Sequence, residues 1–122
     1  MRTLNKVFLV GNLTRNPEIT ALDGGLTLAK FTVATDRFRG KGEEKEKQTD
    51  YHSIIAWRGL ADLCEKFLVK GAKVFIEGKI HHEDYKNKSG KTIRTTEIHA
   101  EEIQFLSKGN REEPVEMVEV AV

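Results

Sequence analysis

Phe38 lies between Arg37 and Arg39, Trp57 precedes Arg58, and Tyr85 is followed by Lys86 and Lys88; Tyr51 stands shortly before Trp57. Aromatic rings interleaved with cations are what a protein needs to hold a flexible single strand of nucleic acid. The rings offer π-faces on which bases stack, and the cations meet the phosphates. A duplex reader instead presents a helix or ribbon to a groove. Arg2, Lys41 and Lys70 join Arg37, Arg39 and Arg58 as candidate phosphate contacts. A second reading stays open at this point: Tyr51 and Trp57 pack under a loop or against another subunit.

Other chemistry finds little material. His52, His81, His82 and His99 are too scattered for a zinc signature. Glu83-Asp84 and Glu101-Glu102 are adjacent pairs, and in a strand each pair splits across two faces. The stretch GNLTRNPE (residues 11–18) lacks the lysine and second glycine of a phosphate-binding loop. The expectation is a binding protein without catalytic residues, metal or cofactor.

The elements that must position the rings can be read from periodicity. Residues 5–10 form an apolar strand ended by Gly11-Asn12, and Asp23-Gly24-Gly25 is a turn. Residues 26–37 alternate as a long strand, GKGEEKEKQ (40–48) reads as a disordered, solvated hairpin tip, and TDYHSIIAW (49–57) is the third strand. In this third strand Tyr51, Ser53, Ile55 and Trp57 share one face, and His52, Ile54 and Ala56 share the other. Leu60, Leu63, Cys64 and Phe67 then recur at helical spacing, with Gly59 as the expected N-cap. Residues 73–85 and 92–105 are two further long strands around the turn Asn87–Gly90. Three strands, one helix and two strands is the order of the OB-fold, an all-β, five-stranded Greek-key barrel with one α-helix between strands 3 and 4. In such a barrel the four aromatics can lie on one connected outer surface. The expected domain covers residues 1–107.

A chain of 122 residues with 39% hydrophobic and 32% charged residues suits one domain with its own core. The net charge of +1 hides an asymmetry: beyond Lys108 one arginine faces four glutamates, a net of −3, which leaves +4 on residues 1–108. Residues 108–122 are therefore expected to be a short, acidic, flexible tail. No apolar run approaches the roughly 20 residues that span a bilayer. The N-terminus lacks a signal-peptide layout, and a single cysteine suits a reducing cytoplasm.

The segments NKVFLVGNLTRNPE, FTVAT, TDYHSIIAW, LADLCEKFLVKG and VFIEGKI occur in this order over residues 5–80. In order and spacing they resemble the bacterial single-stranded DNA-binding proteins, over about residues 1–106. The resemblance implies an OB-fold that assembles as a homotetramer around which single-stranded DNA wraps, in a bacterial, nucleoid-associated cytoplasmic setting. It implies base stacking on Phe38, Tyr51, Trp57 and Tyr85. His52 matches a position of subunit contact, and Lys6, Lys73 and Phe75 match the inner surface of the tetramer. Two features depart from the family pattern. Glu83-Asp84 stand before Tyr85 where the family commonly has basic residues. The tail ends in EEPVEMVEVAV without the Pro-Phe tip, which speaks against recruitment of replication and repair proteins by the tail.

Competing readings are an OB-fold for RNA, a replication-restart subunit, an OB-fold nuclease, and an oligomerisation module that buries its aromatics between subunits.

Overall fold

The computed structural model describes residues 2–107 and 119–120. Its strands are β1 (Val7–Leu13), β2 (Glu18–Ala21), β3 (Thr27–Arg39), β4 (Glu46–Trp57), β5 (Lys73–Lys86), β6 (Thr92–Phe105) and β7 (Glu119–Val120), with α1 (Gly59–Phe67) between β4 and β5. The order in the sheet is β1-β5-β6-β4-β3-β2, and β1 also pairs with β3. That second pairing closes β1, β3, β4, β6 and β5 into the five-stranded barrel of the OB-fold. Closure covers the strand edges within the barrel, while the β3–β4 and β5–β6 hairpins extend beyond it. All the ladders are antiparallel except β4–β6, which runs parallel through Ile54↔Ile98 and Ile55↔His99.

The strands alternate as their sequences require. Ala29, Phe31 and Val33 of β3, Ile54 and Ala56 of β4, Val74 and Ile76 of β5, and Ile98 and Ile103 of β6 face inward and form the core. Helix α1 packs Leu60, Ala61 and Cys64 against it and contacts β3, β4 and β6. Burial pushes the Cys64 thiol up to about 12, as suits an inert core residue.

Three local expectations change. The first strand does not stop at Gly11-Asn12; β1 runs through both, because here it leaves β5 and takes up β3. A Cβ on Gly11 would strike the Ala34 carbonyl oxygen and the Val33 side chain, so the crossing needs glycine. Gly78 lies at a register shift that leaves Glu101 of β6 without a ladder partner, and a Cβ there would meet the carbonyl of His99. The charged stretch 40–48 is not a disordered tip: Gly42–Glu44 form a 3₁₀ turn, and Glu46–Gln48 already belong to β4. Its antiparallel partners Arg37, Phe38 and Arg39 extend β3 equally far.

The N-cap of α1 is Arg58, not Gly59. Arg58 has φ 55°, the sole positive φ at a non-glycine position among the described residues. Its N–H donates to the Thr27 carbonyl at 2.8 Å, and its carbonyl accepts from the Asp62 N–H at 3.0 Å. One residue thus ends the ladder and starts the helix, and the turn costs about 1–3 kcal/mol of backbone strain.

Of the expected tail, Lys108–Val118 and residues 121–122 lie outside the described residues. Glu119 and Val120 pair with Gln104 and Ile103 of β6.

Candidate nucleic-acid interface

Register decides which side chains share a surface. Trp57 lies opposite Leu28 in the β3–β4 ladder, Tyr51 opposite Ala34, and Phe38 opposite Lys47. Because side chains alternate, Phe38, Tyr51 and Trp57 stand on one face. Across the parallel seam Ile55 neighbours His99, so His99 and Glu97 of β6 continue that face. His99 pairs with Lys79 of β5 and Ile93 with Tyr85, which carries the face along β5 to Tyr85. The four aromatics therefore occupy one side of a continuous sheet, the side away from the core. Phe38 is 58% exposed, Tyr51 68%, Trp57 37% and Tyr85 51%.

Not every residue of the face is open. Ile55, expected to stand with Tyr51 and Trp57 as a surface for bases, is only 4% exposed and so is packed rather than available. Its ladder neighbours Lys30 and His99 flank it.

The candidate cations divide by position. Arg37 and Arg39 alternate to the side of β3 opposite Phe38, and the Arg37 guanidinium donates from Nε to Asp50 Oδ2 at 2.9 Å. Arg37 is therefore partly neutralised and does not flank the Phe38 ring. Lys45, which sequence reasoning passed over as part of a charged run, places Nζ 4.2 Å from the centre of that ring. Lys47 shares the ring's face and pairs with Asp36 at 3.5 Å. Arg58 lies at the barrel end of Trp57, where it lines a cleft of about 610 Å³ with Asp23, Thr27 and Asp62. The Lys70 N–H donates to Asn16 Oδ1 at 2.8 Å, which fixes the α1–β5 turn beside the β1–β2 loop. Arg2 and Lys41 are exposed.

The acidic pair before Tyr85 is engaged internally. Glu83 lies 2.6 Å from His81, and Asp84 accepts from Arg94 at 3.0 Å on the other side of the hairpin.

Of the residues matched to subunit contacts, Lys6, Lys73 and Phe75 lie on a second surface. Val10 pairs with Phe75 and Phe8 with Glu77 in the β1–β5 ladder, and the Phe8 and Phe75 rings stack at 6.2 Å. Phe8 is 60% and Val10 50% exposed, so an apolar patch covers this side. Lys73 faces outward at one end of it. At the other end Lys6 donates to Glu101 at 3.1 Å, a hydrogen bond that raises the lysine above its ordinary pKa. His52 stands apart from this patch, on the core-facing side of β4 opposite Val33, half-buried with Nε2 2.9 Å from Thr35 Oγ1.

Comparison with known proteins places this geometry in context. The model of the single-strand binding protein family matches residues 4–106. The chain is 34% identical over 110 residues to single-stranded DNA-binding protein 1 of Staphylococcus aureus (strain MSSA476), covering 90% of this chain and 70% of that one. It is 36% identical over 110 residues to single-stranded DNA-binding protein 1 of Xylella fastidiosa, covering 88% and 81% of the two chains. Among solved structures, a chain of the "Plasmodium falciparum SSB complex with ssDNA" superposes with a TM-score of 0.80 at 30% identity, over 88% of this chain and 98% of that one.

Proposed function

The chain belongs to the single-strand binding protein family, and from that premise we propose that it binds single-stranded DNA without sequence preference and protects it during replication, recombination and repair. The observation that carries this reading is the shared face of Phe38, Tyr51, Trp57 and Tyr85, since four exposed rings on one sheet have no role in the barrel's own core.

Bases stack on these rings, each contributing roughly 1–3 kcal/mol, and every base has a π-face, so the sequence of the strand matters little. Phosphates are met by Arg2, Arg39, Lys41, Arg58 and Lys70. Lys45 and Lys47 join them beside Phe38, and Arg37 contributes less because Asp50 holds it. Release of counterions from the strand makes binding weaken as salt rises. The relatives are named as binding proteins, and we read this chain likewise as a binder and not an enzyme.

We also infer a homotetramer, assembled through the Phe8–Val10–Phe75 patch with Lys6 and Lys73 at its margins and with His52 of β4 at a separate contact. A single barrel leaves that patch in water, and exposed apolar clusters of this kind mark contact surfaces. No helix among the described residues is long and apolar enough to cross a membrane, and a cytoplasmic, nucleoid-associated protein is the setting we propose.

Titration with poly-dT, followed by Trp57 fluorescence, tests the function. Quenching that saturates with poly-dT, and falls off for a duplex of equal length, is expected. An RNA homopolymer in parallel separates DNA from RNA preference. Equal response to duplex and single strand would overturn the reading.

A further inference from the structure

His99 and His81 stand next to Trp57 on the stacking face. The Trp57 and His99 rings lie 6.2 Å apart, tilted by 59°, and the His99 and His81 rings 4.4 Å apart, tilted by 32°. The three residues come from β4, β6 and β5, so the row crosses the parallel seam and the neighbouring ladder. None of them belongs to the core, and the side chains of His99 and His81 remain 21% and 41% exposed.

We propose that the overlapping His99–His81 pair forms a second platform beside Trp57, inclined to its ring, on which the base next to the one on Trp57 stacks. This rests on the single-strand-binding reading above and adds two contact residues to it. Imidazole is among the flat side chains on which unstacked bases settle. The charges around the row favour a base over a phosphate. Glu83 lies 2.6 Å from His81, and Glu97 lies 3.8 Å from His99, so two carboxylates border the rings. Lys79 of β5 brings an opposing charge, and Lys30 of β3 stands on the far side of Ile55, while β4 itself contributes uncharged Ser53, Ile55 and Trp57. Burial, then the neighbouring His81, holds His99 below the ordinary histidine pKa despite Glu97. At neutral pH His99 therefore offers an uncharged ring.

The full chain and its His99→Ala, His99→Phe, His81→Ala and Trp57→Ala variants are titrated with a fluorescently labelled dT oligonucleotide, by anisotropy, at several salt concentrations. Thermal melts are run on each. Stacking at His99 predicts about fivefold or greater weakening in His99→Ala, within the range for loss of a stacked base. The slope of log K against log salt stays unchanged, and His99→Phe restores affinity to within about twofold, with a smaller loss for His81→Ala. Weakening together with a salt slope reduced by about 1 would identify a phosphate contact and overturn the platform. So would a folded His99→Ala that binds like the parent while Trp57→Ala does not. If His99→Ala melts before titration, His99→Phe and His81→Ala decide: parental affinity in the first with a loss in the second supports the platform, and any other pair overturns it. Failure of the parent chain itself to prefer the oligonucleotide over a duplex would sink the binding reading and not the platform alone.

Discussion

Arg58 carries two burdens, and they pull in opposite directions. Its backbone holds a positive φ that glycine would adopt without strain, while its side chain is a candidate phosphate contact beside Trp57. Arg58→Gly is expected to raise the melting temperature, and also to weaken poly-dT binding with a salt slope lower by about 1. A variant that melts lower would show that the arginine side chain contributes more to the fold than its backbone costs. At Trp57 the two properties separate. Trp57→Ala should lose roughly 1–3 kcal/mol of binding and keep its fold, because the ring faces outward; calorimetry on the variant checks the second half. The rings were legible in the sequence because each is an aromatic near cations or on an alternating strand. His81 and His99 were not. They are far apart in the chain, and only the β5–β6 ladder brings their rings to 4.4 Å. The Lys45–Phe38 contact was hidden for a similar reason, since a charged run does not disclose which of its lysines folds back over a ring.

At the level of elements, strand alternation and helical spacing located the five barrel strands and α1, with β6 matching residues 92–105 and β5 starting at Lys73. The boundaries that moved are those set by contacts between strands. Gly11 reads as a breaker within its own segment, yet β1 continues because its carbonyl-side half finds β3. β2 escaped notice because four residues after Pro17 are too few to display a period. Gly11→Ala tests the crossing directly. The added methyl group meets backbone that cannot swing aside, and overpacking of this kind costs typically 1–3 kcal/mol. The variant should melt at lower temperature, whereas Gly90→Ala meets no atom within 4 Å and is affected only through its φ of 83°.

The barrel presents two outer surfaces, one bearing the four exposed aromatic rings and one bearing the Phe8–Phe75 patch. Light scattering at micromolar concentration is expected to give the mass of four chains, and a monomer would remove the role assigned to the patch. His52→Ala, which frees Thr35 from its partner, should loosen the assembly and lower the concentration-dependent melting temperature. The acidic segment 108–122 opposes the basic body electrostatically, so a chain ending at Ser107 should bind poly-dT as well or slightly better at low salt. A large loss of affinity or of tetramer would make that segment structural.

The parallel seam between β4 and β6 has a consequence for how the protein is made. Hairpins β3–β4 and β5–β6 can form from neighbouring chain, but Ile98 follows its partner Ile54 by 44 residues. At about 5–20 residues per second a ribosome needs on the order of 2–9 seconds to supply that span. Throughout that interval the nascent β4 carries an unpaired apolar edge, and the entropy of closing the loop further slows its capture. Polysomes place several such chains side by side. The β6 of one copy can then meet the open β4 of another, and crowded translation is expected to raise strand exchange between copies before either barrel has closed.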